Sequence, residues 1–182
     1  MVVERMSKMD TAWLRMDFET NLMMILGVWV VKRSVSYEAV CQRIEERLLP
    51  YSRFGQRVEP DSKGKNWVTV KNFDIRWHVV TEKLLAGLKR REQQPLQARL
   101  VELAVQPLHM ACPQWQFHRV KNYQGGPALM VRIHHCIADG IALVAVTQAM
   151  IDGGTEPPKR RCNRATHESA GGLQCNGDVD QT

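Results

Sequence analysis

The stretch spanning residues 129–151 constrains the fold more than any other part of the chain. Apolar side chains alternate with other residues up to two adjacent histidines, His134 and His135, which predicts a strand that ends at the histidines. An almost wholly apolar run follows Gly140 and ends before two glycines, as is typical of a helix and its C-terminus. The sequence therefore predicts a strand and a helix joined by a short loop that carries reactive groups.

The side chains of this loop suit acid–base chemistry. A histidine exchanges a proton near neutral pH and can act as a general base. Asp139, four residues after His135, can fix a loop or an imidazole through a charged hydrogen bond, and Gly140 permits a tight turn or a close approach. Adjacent histidines at a strand end are also found as polar residues at the edge of a core. The spacing alone leaves both interpretations open.

The pattern His134-His135-x-x-x-Asp139-Gly140 matches the HHxxxDG motif of the chloramphenicol-acetyltransferase-like acyltransferases and condensation domains. Further blocks, in the same order, resemble the wax ester synthase/acyl-CoA:diacylglycerol acyltransferase family. These blocks are Met9–Arg15, Arg53–Val58, Phe73–Val79, and Pro107-Leu108 followed by Pro113 and Trp115. The resemblance covers about residues 5–152. Several blocks in the same order are stronger evidence than one motif, because a motif gains weight when its context also fits.

The chain departs from the family pattern at two positions and in its length. His109 stands where the family usually has aspartate, and Gln114 stands where it usually has leucine. Family members are considerably longer and are built as two related halves. We therefore expect a truncated chain that corresponds to the N-terminal half.

The resemblance implies an α/β fold, a chloramphenicol-acetyltransferase-like half in which helices flank a mixed sheet. We assign residues 1–152 to this acyltransferase-like domain. Residues 153–182 contain Pro-Pro, Lys-Arg-Arg and Gly-Gly and few apolar side chains, so we expect a disordered tail.

The resemblance also implies a mechanism. His135 would be the base that takes the proton from the hydroxyl of a long-chain alcohol or a diacylglycerol, whose oxygen then attacks the thioester of an acyl-CoA. His134 would support it, Asp139 would hold the loop through an arginine, and Gly140 would meet a backbone requirement. Acyl-CoA is a co-substrate here, and no cofactor is expected to be bound.

Two classes of function remain. The first is an O-acyltransferase of wax ester or triacylglycerol synthesis, and the second is a non-catalytic remnant that acts as a binding or pairing module. An amide-forming condensation domain is a third reading, which the blocks around Trp13, Phe73 and Trp115 disfavour.

Charge and hydropathy limit the partners. The formal net charge of +6 and the pI near 9.2 favour acidic partners, such as anionic headgroups or the phosphates of coenzyme A. No arginine-rich block is interleaved with aromatic residues, so we expect no nucleic acid. No apolar run is long enough to span a bilayer. We expect a cytoplasmic protein, with any binding to membranes or lipid inclusions peripheral, and with self-association through an exposed half-cleft as a further expectation.

The five cysteines are scattered along a chain with no secretory signal, which favours reduced thiols. Cys136 lies inside the motif, and we interpret it as a small packing residue rather than a nucleophile. Cys162, His167 and Cys175 lack the close pairing of zinc ligands, so no metal site is predicted.

The remaining pattern gives a coarse order of elements. Trp13 and Leu14 are expected to pack inward from a short entry helix. In chain order we predict a strand over 23–31, a helix capped by Ser36 that runs to about residue 49, a loop over 51–66, strands over 67–70 and 75–79, a helical turn over 84–91, a helix from Pro95, and a strand over 114–121 in a hairpin with the motif strand.

Overall fold

The structure is a computed structural model that describes residues 3–83, 93–123 and 126–158. Within these ranges the helices are α1 (Lys8–Arg15), α2 (Tyr37–Arg47), α3 (Gln93–Ala104) and α4 (Gly140–Met150), and the strands are β1 (Val3–Arg5), β2 (Met24–Val30), β3 (Gln56–Asp61), β4 (Gly64–Thr69), β5 (Val79–Glu82), β6 (Trp115–Tyr123) and β7 (Gly126–His134).

The larger sheet has four strands in the order β2-β7-β6-β5. Strand β7 pairs antiparallel with β2 on one side, from Met24 opposite His134 to Val30 opposite Ala128, and antiparallel with β6 on the other. Strand β5 runs parallel to β6. The predicted strand over 23–31 and the hairpin that contains the motif strand are therefore both confirmed, and the sheet is mixed.

The smaller sheet has the order β1-β4-β3 and corrects the expectation of a loop over residues 51–66. Residues 51–66 contain a 3-10 turn and strand β3 rather than a loop alone. Pro60 is compatible with β3 because β3 is an edge strand of its sheet. Gly64, whose φ of 141° disfavours other residues, begins β4 directly after the turn.

The predicted strand over 75–79 is also wrong for most of its length. Residues Ile75–Trp77 form a 3-10 turn, because Asp74 caps it by accepting a hydrogen bond from the backbone N–H of Arg76 at 2.9 Å. The strand begins only at Val79.

The core lies on both faces of the larger sheet because alternate residues of β7 point to opposite sides. One face packs Leu129, Val131 and Ile133 against α2 and the smaller sheet. The other face packs Ala128 and Met130 against α3. This double burial explains why every residue of β7 is buried.

Two ion pairs join the segment after α4 to α2. Arg43 pairs with Asp152, and Arg47 pairs with Glu156 at 2.9 Å. The helical turn predicted over 84–91 and the tail beyond residue 158 lie outside the described residues.

Cys41 and Cys136 carry free thiols, as expected for reduced cysteines. Cys112 is disulfide-bonded, which contradicts that expectation for this residue. Spacing along the chain does not show which sulfurs approach within bonding distance. Across the described ranges, none of the helices has the length and apolar character needed to cross a bilayer.

Candidate active site

The junction between β7 and α4 is held at both ends. The backbone N–H of His134 donates to the Gln114 carbonyl at 3.0 Å, and the backbone N–H of His135 donates to the Met23 carbonyl at 2.9 Å. The two histidines therefore continue the hydrogen bonding of β7 to both of its neighbours, and their backbones are fixed by the sheet.

The ring of His134 is enclosed, with the residue only 2% exposed. Its Nδ1 accepts a hydrogen bond from the backbone N–H of Cys136 at 3.0 Å, so in the neutral ring the hydrogen lies on Nε2. Nε2 faces the carboxylate of Asp17 at 3.5 Å, a charge contact that does not meet the geometry of a hydrogen bond. Burial lowers the pKa of His134, and the Asp17 carboxylate opposes that shift. A buried, mostly neutral imidazole with a defined tautomer fits a supporting role.

The ring of His135 is only partly buried. It stacks on the indole of Trp13, with ring centroids 4.6 Å apart and planes inclined by 22°. Its Nδ1 is buried without a hydrogen-bond partner among the described residues. Because the residue as a whole is only partly buried, Nε2 is the nitrogen left to meet a substrate.

Asp17 links the two histidines from the segment that follows α1. One carboxylate oxygen, Oδ1, accepts a hydrogen bond from the backbone N–H of Met23 at 2.8 Å. The carbonyl of the same Met23 receives the backbone N–H of His135. The other oxygen, Oδ2, faces His134. The Asp17 side chain thus contacts the His134 ring and also fixes Met23, whose carbonyl holds the His135 backbone.

Sequence reasoning missed Asp17 and assigned Trp13 only to packing. Trp13 does contact the apolar core, as expected, and Leu14 beside it is buried. Trp13 and Asp17 are far from the motif in the sequence, and only the fold brings them to it, with Trp13 against His135 and Asp17 facing His134. The family-like block Met9–Arg15 was the one signal in the sequence that could have linked Trp13 to the motif.

Asp139 is the N-cap of α4, and its Oδ1 accepts a hydrogen bond from the backbone N–H of Ala142 at 2.8 Å. We expected an arginine to hold this carboxylate. None of the ion pairs between described residues involves Asp139. The loop is instead held to the helix by the cap, since an aspartate before a helix satisfies a backbone donor of the first turn.

Gly140 is the first residue of α4 and is exposed. A Cβ built on it would meet no atom within 4 Å, and its φ is not in the left-handed region. The expected backbone requirement is therefore not visible in the described part of the chain.

Cys136 is 1% exposed, and burial raises the pKa of its thiol. A thiolate nucleophile needs the opposite shift, so the geometry agrees with a packing role. His78 is likewise structural, because its ring stacks on both Phe73 and Trp115 and its Nδ1 donates to the Trp115 carbonyl at 2.8 Å.

The described residues contain no group of three metal-ligating side chains placed to hold an ion. Cys162, His167 and Cys175 lie outside those residues.

The fold is shared with two classes of solved structure. A wax ester synthase/diacylglycerol acyltransferase from Marinobacter aquaeolei VT8 superposes with a TM-score of 0.62 at 17% identity, covering 79% of this chain and 37% of that one. A mutant starter condensation domain of rhizomide synthetase, solved in complex with C8-CoA, superposes with a TM-score of 0.64 at 18% identity, covering 85% and 37%. The expected mixed α/β fold of this class is confirmed.

The family profile described as "Wax ester synthase/diacylglycerol acyltransferase catalytic domain" matches residues 6–178. The chain belongs to this family, as the resemblance predicted. The match continues past residue 152, where we expected the likeness to end.

Curated relatives agree with this membership. A probable diacylglycerol O-acyltransferase of Mycobacterium tuberculosis is 27% identical over 165 residues, which cover 86% of this chain and 59% of the relative. Wax ester synthase/diacylglycerol acyltransferase 11 of Arabidopsis thaliana is 25% identical over 163 residues, covering 88% and 32%. The chain thus spans less than two thirds of the length of either relative.

Proposed function

We propose that this chain carries the histidine-bearing part of an O-acyltransferase that moves a fatty acyl group from acyl-CoA to a long-chain alcohol or a diacylglycerol. Family membership supports the acyl-transfer class. The observation that carries the proposal is the partly buried imidazole of His135, which stands at the end of β7 with Nδ1 enclosed, so that Nε2 is the candidate base.

In the proposed step, Nε2 of His135 accepts the proton of the acceptor hydroxyl while the hydroxyl oxygen attacks the thioester carbonyl. The C–S bond breaks as the tetrahedral intermediate collapses, and the departing thiolate of coenzyme A takes the proton back from the imidazolium. An ester and free coenzyme A result, and the histidine is returned to its neutral form. General-base assistance of this kind contributes roughly 10²- to 10⁴-fold in rate.

The other motif residues act through His135. His134 is too enclosed to reach a substrate and fixes the turn through the Cys136 N–H. Asp139 caps the start of α4 and so sets where the loop ends. The lipid acceptor and the acyl-CoA are the proposed partners, with access from a membrane surface or a lipid inclusion by peripheral contact.

The test is an assay of the purified chain with palmitoyl-CoA and either hexadecanol or a diacylglycerol. Free thiol and ester product are measured together, because thiol release alone could be hydrolysis. His135→Gln should reduce ester formation by roughly 10²- to 10⁴-fold if the ring is the base.

His109→Gln is the matched control, since His109 is an exposed histidine outside the motif. It should retain wild-type ester formation. Ester formation that survives in His135→Gln would exclude the assigned base, and wild-type protein that forms no ester would exclude the activity for this chain.

A second candidate, a non-catalytic pairing module, is favoured by one observation. Ile141 and Val144 on α4 are 85% and 58% exposed, although α4 is almost wholly apolar. An exposed apolar patch commonly marks an interaction surface. Light scattering tests this candidate: a concentration-dependent mass that falls to a monomer in Ile141→Glu supports pairing, and a monomeric wild type excludes it.

A further inference from the structure

The two motif histidines differ in what orients their rings. His134 receives the Cys136 N–H at Nδ1 and faces Asp17 at Nε2. His135 makes no side-chain hydrogen bond to a described residue, and its buried Nδ1 has no partner there. The hydrogen bond of its backbone N–H to Met23 fixes the main chain but leaves rotation about χ1 and χ2 free.

The contact that restrains the His135 ring is the indole of Trp13. The centroid distance of 4.6 Å and the small inclination of 22° describe a stacked pair. Such a pair favours one plane for the imidazole, and an aromatic face also attracts the imidazolium that forms when the ring accepts a proton.

Trp13 is itself firmly held because α1 is anchored at several points. Ser7 caps the helix by accepting the Asp10 N–H at 3.0 Å, and Asp10 accepts a hydrogen bond from Nε1 of Trp67 at 3.3 Å. Leu14, next to Trp13, is buried in the core. Because α1 limits the movement of the Trp13 side chain, that side chain can in turn restrain the His135 ring that it contacts.

We propose that Trp13 is a positioning residue for His135: its indole holds the imidazole in one rotamer, with Nε2 directed away from the core. The effect of Trp13 on turnover rests on the proposed function, whereas its effect on ring orientation does not. The two parts can therefore be tested separately.

Orientation is measured by NMR on the full chain. The three-bond Hα–Hβ couplings of His135, assigned from the signals lost in His135→Gln, report χ1. We expect one rotamer in the wild type, averaged couplings in Trp13→Leu, and a retained single rotamer in Trp13→Phe, which keeps an aromatic face.

The matched control is Trp77→Leu, the same substitution at a partly exposed tryptophan whose ring makes no contact with His135. It should leave the couplings unchanged. A single His135 rotamer in a folded Trp13→Leu variant would overturn the proposal, whether or not the chain transfers acyl groups. If that variant does not fold, averaged couplings in Trp13→Phe would overturn it, because the aromatic face alone would then not hold the ring.

Turnover gives the second readout. Loss of ring orientation should lower kcat by roughly 10- to 100-fold, since misplacement of a reacting group by about 1 Å can cost 10²-fold. KM for acyl-CoA should not change, and Trp13→Phe should restore most of kcat. An unchanged kcat in Trp13→Leu would overturn the proposal, whereas a wild type without ester formation would count against the proposed function and leave the NMR result to decide the orientation.

Discussion

Strand β7 and helix α4 are adjacent in the sequence and similarly apolar, but they differ in burial. All nine residues of β7 are buried, between β2 and β6 in the sheet and under packing on both faces. Of the residues of α4, only Val146 and Ala149 are buried. The described residues cover the whole of the strand, but they leave most of the apolar surface of the helix uncovered.

Hydrophobicity alone therefore does not determine burial. A strand in the middle of a sheet gains covering from its neighbours on both sides and on both faces, while a helix is covered only along the stripe that meets another layer. The candidate base lies where these two regions meet. One side of the site is therefore rigid core, and the other is a surface suited to a substrate or a partner.

The largest expected effect is on the strand side. Met130 of β7 is fully buried against α3, so Met130→Ala should lower the free energy of unfolding by about 2–5 kcal/mol through lost contacts and a cavity. Ile141→Ala on α4 is the matched control, and its change should stay within about 0.5 kcal/mol because the side chain is 85% exposed. Urea denaturation measures both, and a large cost for Ile141→Ala would show that the α4 face is covered in solution.

Acid should destabilise the fold through His78, which is buried beside the larger sheet. Burial lowers the pKa of His78 to about 4, below its ordinary value of about 6.5. Because the unfolded state then binds the proton more readily, stability is full above pH 6.5 and is lost as the pH falls toward 4, by roughly 3 kcal/mol.

Urea denaturation across this pH range measures the effect. His78→Phe, which keeps an aromatic ring in the stack, should flatten the dependence. An equal slope in His78→Phe would assign the acid sensitivity to other groups.

The smallest expected effect is on the helix side. Asp139→Ala removes the hydrogen bond to the Ala142 N–H, and the loss of an N-cap costs about 0.5–2 kcal/mol. Hydrogen exchange should speed up in the first turn of α4 and remain unchanged in β7. Asp139→Asn is the control, since asparagine is an equally good cap, and faster exchange in that variant would contradict capping as the role of Asp139.

Local pattern predicted the elements whose ends carry chemical signals. The Ser36 cap of α2 accepts the Ala39 N–H at 3.1 Å, as the predicted helix start requires. The hairpin of β6 and β7 also followed from alternation and an intervening turn. These features depend on residues close together in the sequence, where pattern is informative.

Other features could not be predicted because they depend on distant partners. The sequence predicts a loop where β3 forms, since Pro60 and nearby glycines suggest irregular structure until β4 is known to pair with this segment. The parallel pairing of β5 with β6 likewise depends on which edge is free. For the candidate site, the motif supplied His134, His135 and Asp139, whereas nothing local indicated Asp17.

The family, the mixed α/β fold and the strand–histidine–helix junction follow from the sequence alone, because a motif in its proper context is a local property of the chain. Only the tertiary structure decided that Trp13 lies against His135, that Asp17 serves both histidines, and that Asp139 caps a helix without an arginine partner in the described residues. The physical reason is that ring stacking, charge contacts and burial act between side chains that are close in space, and their separation in the sequence carries no information about that distance.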